Sequence, residues 1–239
     1  MKAKIVENYI ERMKASVKLM GAMVVGSYVT GTMGPNSDID IFFLTEDETK
    51  SIRGRERFMG IEFEYFMSPE WKYYDRLNRD TTSIRIYSEA EILFDTDGTL
   101  KKIIEEAQRL KENYRAELND DRLRDMKFYI ETIYYDAIDL YKKGSYSDFL
   151  IFTYSSLQKL CDILCKLKSE LPVYIKYGIS EIKIVDEAFG EIVEQFLKTD
   201  YRDENKLKLW MQICNDFDKY LNHIDIDPFE SIQEIHREN

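Results

Sequence analysis

The sequence predicts an α+β fold: a small mixed β-sheet with flanking helices, followed by an α-helical bundle. Three observations carry this. The run LMGAMVVG is apolar and short enough for a buried strand. DIDIFFL and IEFEYF each place two carboxylates two positions apart, the spacing of one strand face. From about Asp120 onward only helical periodicities remain. The 239 residues suffice for one to two domains with a real core, and the change of pattern predicts two, residues 1–118 and 119–239.

Taken in order, Ile5, Tyr9, Met13, Val17 and Met20 recur at helical spacing, predicting an entry helix over residues 2–19 that covers the sheet. Residues 22–26 and 38–44 follow as strands. SIRGRERF and IEFEYF read as a hairpin about Met59 and Gly60. SPEWKYYDRLN carries a serine N-cap signal with a proline behind it, so a helix starts near Pro69. EAEILFDTDG is a strand ending in an Asp-Gly turn, where Asp95 and Asp97 read as turn and cap residues before the helix TLKKIIEEAQRLKENYRAEL. Four longer helices follow. MKFYIETIYYDAIDLYKKG stops at Gly144, and SYSDFLIFTYSSLQKLCDILCKL is the most apolar. EIKIVDEAFGEIVEQFLK and ENKLKLWMQICNDFDKYLNHI complete an antiparallel bundle.

Chemistry concentrates in GSYVTGTMGPNSDID, residues 26–40. Asp38 and Asp40 share one face of a strand that otherwise belongs inside a sheet. Like charges held that close repel, and a divalent cation offsets the repulsion. Ahead of them, Gly26 permits a tight turn, and a short helix opening after Ser27 turns free N–H groups toward an anion. Strand, phosphate-facing turn and paired carboxylates together describe a site for a nucleoside triphosphate with magnesium.

This stretch resembles the signature of the polymerase-β-like nucleotidyltransferase superfamily: Gly-Ser, ten residues, then Ser-Asp-Ile-Asp-Ile. The resemblance implies a third carboxylate on a later strand, two Mg2+ ions, and transfer of a nucleoside monophosphate, AMP from ATP or its counterpart from another triphosphate, with loss of pyrophosphate. It implies that Gly26 and Ser27 receive the β- and γ-phosphates, with Thr30 and Ser37 on the nucleotide side. Many members carry a basic residue near the position of Thr30, and this chain does not.

Glu62 and Glu64 share the other acidic strand face, and one of them is expected at the metal. The segment is similar to the corresponding strand of aminoglycoside nucleotidyltransferases, and that likeness favours Glu62, with Glu64 left to the substrate. In the bundle, Asp136 and Asp139 are helical neighbours and Glu131 precedes them. Likeness to the kanamycin-type enzymes offers Asp136 as general base and Glu131 and Asp139 as substrate contacts; in streptomycin-type relatives the base role falls to Glu62.

Net charge of −11 disfavours non-specific nucleic-acid binding and favours a cationic partner. By the same resemblance, with the charge as support, the expected acceptor is a cationic, hydroxylated small molecule of the aminoglycoside kind, bound by a monomer or homodimer. Modification of a protein or RNA, and a nucleotide-binding module without catalysis, are the competing readings. Cys161, Cys165 and Cys214 form no C-x-x-C pair and read as buried thiols. No run reaches the roughly 18 apolar residues of a membrane span, so the expectation is a cytoplasmic protein. His223 and His236 lack partners at ligand spacing and read as surface residues.

Overall fold

The computed structural model describes residues 2–230. The chain divides into two compact units, Met1–Tyr114 and Arg115–Asn239. The first is built on a five-stranded sheet: β1 (Leu19–Val25), β2 (Ile39–Thr45), β3 (Ile52–Phe58), β4 (Ile61–Ser68) and β5 (Glu91–Asp95). Their spatial order is β3-β4-β2-β1-β5. Neighbours are antiparallel except β2 and β4, which run parallel and make the sheet mixed.

Alternation along β2 and β4 decides which face meets which helix. Ile39, Ile41, Phe43 and Phe63 point to one side and pack with Val6, Tyr9, Ile10 and Met13 of α1 (Lys2–Ser16). Tyr9 stacks on Phe63 with ring centroids 4.0 Å apart. The helix ends at Ser16, so Val17 and Met20 fall outside the stripe expected of them, Met20 already lying in β1. On the opposite face Phe42 stacks on Phe66 at 4.5 Å and meets Tyr73 and Tyr87 edge-on. Those tyrosines come from α2 (Glu70–Arg79) and α3 (Thr81–Ser88). In α2 Pro69 is itself the N-cap and Ser68 ends β4. α3 is an element that the periodicity does not announce; Asp80 starts it by accepting from the Thr82 N–H at 2.9 Å.

The hairpin between β3 and β4 turns on Met59 and Gly60, both with positive φ, 48° and 83°. Asp95 and Asp97 are the expected turn and cap residues. Asp95 accepts from Gly98 and Lys101 N–H, and Asp97 from Thr99 N–H, at the start of α4 (Thr99–Glu112).

The second unit is helical: α5 (Asp120–Lys142), α6 (Tyr146–Leu167), α7 (Gly178–Val185), α8 (Glu187–Lys198), α9 (Glu204–Asn215) and α10 (Asp218–Leu221). Its core gathers Phe149, Leu160, Leu164, Phe189, Phe196 and Trp210, all shielded from solvent. Sequence periodicity runs residues 181–198 as one helix, but the chain breaks at Asp186. That residue is extended, with φ −152°, and its side chain accepts from the Phe189 N–H at 3.0 Å, capping α8. Gly190 then lets α8 cross α7 closely, since a Cβ there would stand 2.5 Å from Lys183 Cγ. Cys161, Cys165 and Cys214 are free and buried, and burial pushes the Cys161 and Cys214 thiols up to about 12. His223 is exposed; His236 lies outside the described residues. No helix among the described residues is long and apolar enough to cross a membrane.

Candidate active site

Helices α2 and α3 cover the end of the sheet face that carries Phe42 and Phe66. At the other end of that face the side chains are carboxylates. Asp40 stands opposite Glu64 in the parallel β2–β4 register, one step from Ile39 opposite Phe63. Asp38 enters just before β2. One oxygen from each of Asp38, Asp40 and Glu64 lies within 4.8 Å of the others, and all three residues are half-buried. Among the described residues this is the group of carboxylates, imidazoles or thiols close enough to share a metal ion. Three hard oxygen donors match what magnesium selects, which soft thiolate sites do not.

The acid that the structure groups with Asp38 and Asp40 is Glu64, where the sequence favours Glu62. Glu62 sits one pleat repeat away on the same face, where Arg55 of β3 engages one carboxylate oxygen and Arg57 lies 3.9 Å from the other. Alternation puts both glutamates on the correct face; only the register tells which one stands beside Asp40. Glu64 is held from outside by Arg53 at 2.5 Å.

β1 ends beside this cluster, with Val25 opposite Asp40. Gly26 follows at φ +69°, and a Cβ on it would sit 3.0 Å from Asp40 Oδ2. Both constraints call for glycine. The short helix expected after Ser27 is a single 3-10 turn, Gly26–Tyr28, with Val29 and Thr30 N–H donating to the Gly26 carbonyl. The Thr30 hydroxyl also donates to that carbonyl, at 3.3 Å, and lies 2.8 Å from the Thr32 hydroxyl. Ser37 Oγ accepts from Gly34 N–H at 2.9 Å and closes the loop before Asp38. Thr30 and Ser37 thus shape the turn that presents Gly26 and Ser27.

In the second unit Glu131, Asp136 and Asp139 are exposed on α5. Glu131 lies 3.9 Å from Lys127 and Asp139 lies 3.7 Å from Lys143, both as one-turn pairs along the helix.

Sequence periodicity assigns SIRGRERF to the hairpin without giving its arginines a role. In β3 the side chains of Arg53, Arg55 and Arg57 stand on the carboxylate face, with Arg55 opposite Glu64 and Arg57 opposite Glu62. The Arg55 guanidinium is held more firmly protonated by Glu62 first, and also by Asp38 and Glu64. The available signal is R-x-R-x-R on one hairpin arm facing E-x-E on the other.

A family model described as a nucleotidyltransferase domain matches residues 6–131, more than half of the chain. No curated protein matches it. Among solved structures, it is similar to a nucleotidyltransferase-like protein from Exiguobacterium sibiricum 255-15. The two are 13% identical, with 93% of this chain and 79% of that one covered and a TM-score of 0.46.

Proposed function

Because this chain belongs to the nucleotidyltransferase domain family, we propose that it moves a nucleoside monophosphate, AMP from ATP, to a hydroxyl of a small molecule with release of pyrophosphate. The observation that supports this is the meeting, at neighbouring strand ends, of the Gly26–Ser27 turn with Asp38, Asp40 and Glu64. The three carboxylates would hold magnesium, which when bound supplies neutralisation of the charge on the attacking and leaving oxygens. Gly26 allows backbone to approach the phosphates, and the N–H and hydroxyl of Ser27 are donors for their oxygens. In the loop that follows, Thr30 bonds back to the Gly26 carbonyl and Ser37 closes the chain before Asp38.

A base is needed for the acceptor hydroxyl. Asp136 is proposed for it on resemblance to the kanamycin-type enzymes, with Glu131 and Asp139 as acceptor contacts; Glu62 is the alternative from the streptomycin type. Resemblance and the net charge of −11 are the whole support for an aminoglycoside acceptor, and the cations lining one cavity of the site oppose it.

The test is pyrophosphate release from each of the four nucleoside triphosphates with magnesium, across a panel of hydroxylated acceptors. Release that depends on an acceptor and drops by about 10² or more in Asp38→Ala and Asp40→Ala is expected, the scale on which loss of a preorganised charge-stabilising group acts. Absence of release, or release indifferent to both aspartates, contradicts the proposal.

A further inference from the structure

The sheet order lays out the site as a sequence of functions. β1 delivers the phosphate-facing turn, β2 the two aspartates, β4 the glutamate, and β3, at the edge beyond them, the three arginines. The arginines therefore lie on the far side of the metal cluster from the Gly26–Ser27 turn. With the triphosphate on the β1 side, the β3 side is left for the acceptor.

Two cavities occupy that side. One, of about 390 Å³, is lined by Asp38, Glu64, Arg53, Gly54 and Arg55. The other, of about 520 Å³, runs along the hairpin end of the sheet; its charged lining is Lys2, Arg55, Arg57 and Glu62, with Asn36 and Ser37 beside them. Arg55 borders both. The first cavity has two carboxylates and two guanidiniums. The second has three cations against one carboxylate, inside a chain whose net charge is −11. The Nζ of Lys2 rests 3.3 Å from Met33 Sδ, and among the described residues it has no carboxylate partner.

We propose, resting on the nucleotidyl-transfer reading above, that this cavity is the acceptor subsite and that it recognises a phosphate group. The acceptor is then a small hydroxylated phosphate ester, not a polycation. Arg55 and Arg57 present planar donor forks suited to phosphate oxygens, and Lys2 adds a point charge. An aminoglycoside ammonium would meet three like charges there. The arginine side chains are 67–72% exposed at the edge strand, a placement that also discourages edge-to-edge pairing. That protective role needs charge on either face. It does not account for three arginines all on the carboxylate face, or for Lys2 joining them from another element.

The test uses inorganic phosphate as the probe, titrated calorimetrically into the full chain saturated with magnesium and a non-hydrolysable nucleotide. Nucleotide binding is measured first, so failure of the nucleotidyl-transfer reading shows before phosphate is added. Saturable phosphate binding is expected, weakened about tenfold in Arg57→Gln and in Lys2→Gln, on the scale of one charge-assisted hydrogen bond. Both positions are exposed, and unchanged nucleotide affinity reports that the variants are folded. Ribose 5-phosphate should compete with the probe, and ribose and kanamycin should not. No phosphate binding, binding indifferent to both substitutions, or displacement by kanamycin overturns the proposal. Competition by a short oligoribonucleotide but not by ribose 5-phosphate overturns its restriction to small molecules.

Discussion

Glu62 and Glu64 differ by one repeat of a pleat, yet they do different things. Glu64 stands opposite Asp40 in the β2–β4 register, while Glu62 faces Arg57 and bonds Arg55. Periodicity of two gives the face of a residue but not its neighbour on the next strand, so the sequence alone leaves both acids open. Gly26 is legible by contrast, because a glycine before a serine at a strand end has few other uses. A buried cation in the other unit is not legible at all. Lys206 is fully shielded, and its ammonium donates to the Phe196 and Thr199 carbonyls at the end of α8 and to the Tyr154 hydroxyl. Three acceptors match its three donors. Lys206→Met strips the donors and takes a partner from the buried Phe196 carbonyl and the half-buried Thr199 carbonyl. A destabilisation of about 1–3 kcal/mol is expected, read from the denaturant midpoint of Trp210, which is buried in the same core.

At the scale of elements, strands and long helices are legible where one face is consistently apolar. The hairpin at Met59–Gly60, the caps at Asp95 and Asp97, the end of α5 and the limits of α6 follow directly from side-chain chemistry, whereas α5 starts at Asp120, six residues ahead of its apolar stripe. The breaks are harder, because a helix interruption needs only one well-placed cap. Asp186 supplies one inside a stretch whose apolar period continues through it. Burial opposes its ionisation. The Phe189 N–H, Lys168 and Lys219 outweigh that and hold its carboxyl down to about 2, from an ordinary 3.8. The native carboxyl is the lower of the two, so its stabilisation is complete above about pH 4. It is lost as pH falls from there through about 2. Asp186→Asn should remove that acid-dependent part of the second unit's stability while keeping an N-cap oxygen. Urea midpoints across this pH range check it: the slope should flatten in the variant, and an unchanged slope assigns the acid sensitivity elsewhere.

For the molecule as a whole, composition and net charge point one way and the local field another. A total of −11 favours cationic partners, whereas the cavity at the hairpin end of the sheet has a surplus of positive side chains. Totals average over both units, and only the pairing of β3 with β4 shows that the arginines share a face with the acids. The glycine turn and the paired aspartates can therefore be read from residues 26–40, whose chemistry is local. The third acid and the acceptor side depend on strand pairing, which spacing does not encode. The most direct measurement is calorimetric titration of a magnesium–nucleotide complex into the wild-type chain, Glu64→Gln and Glu62→Gln. Loss of one metal-ligand charge should weaken metal-dependent binding at least about tenfold in Glu64→Gln, with Glu62→Gln close to wild type. The reverse order, or magnesium-dependent binding that survives both substitutions intact, would contradict a site built on Asp38, Asp40 and Glu64.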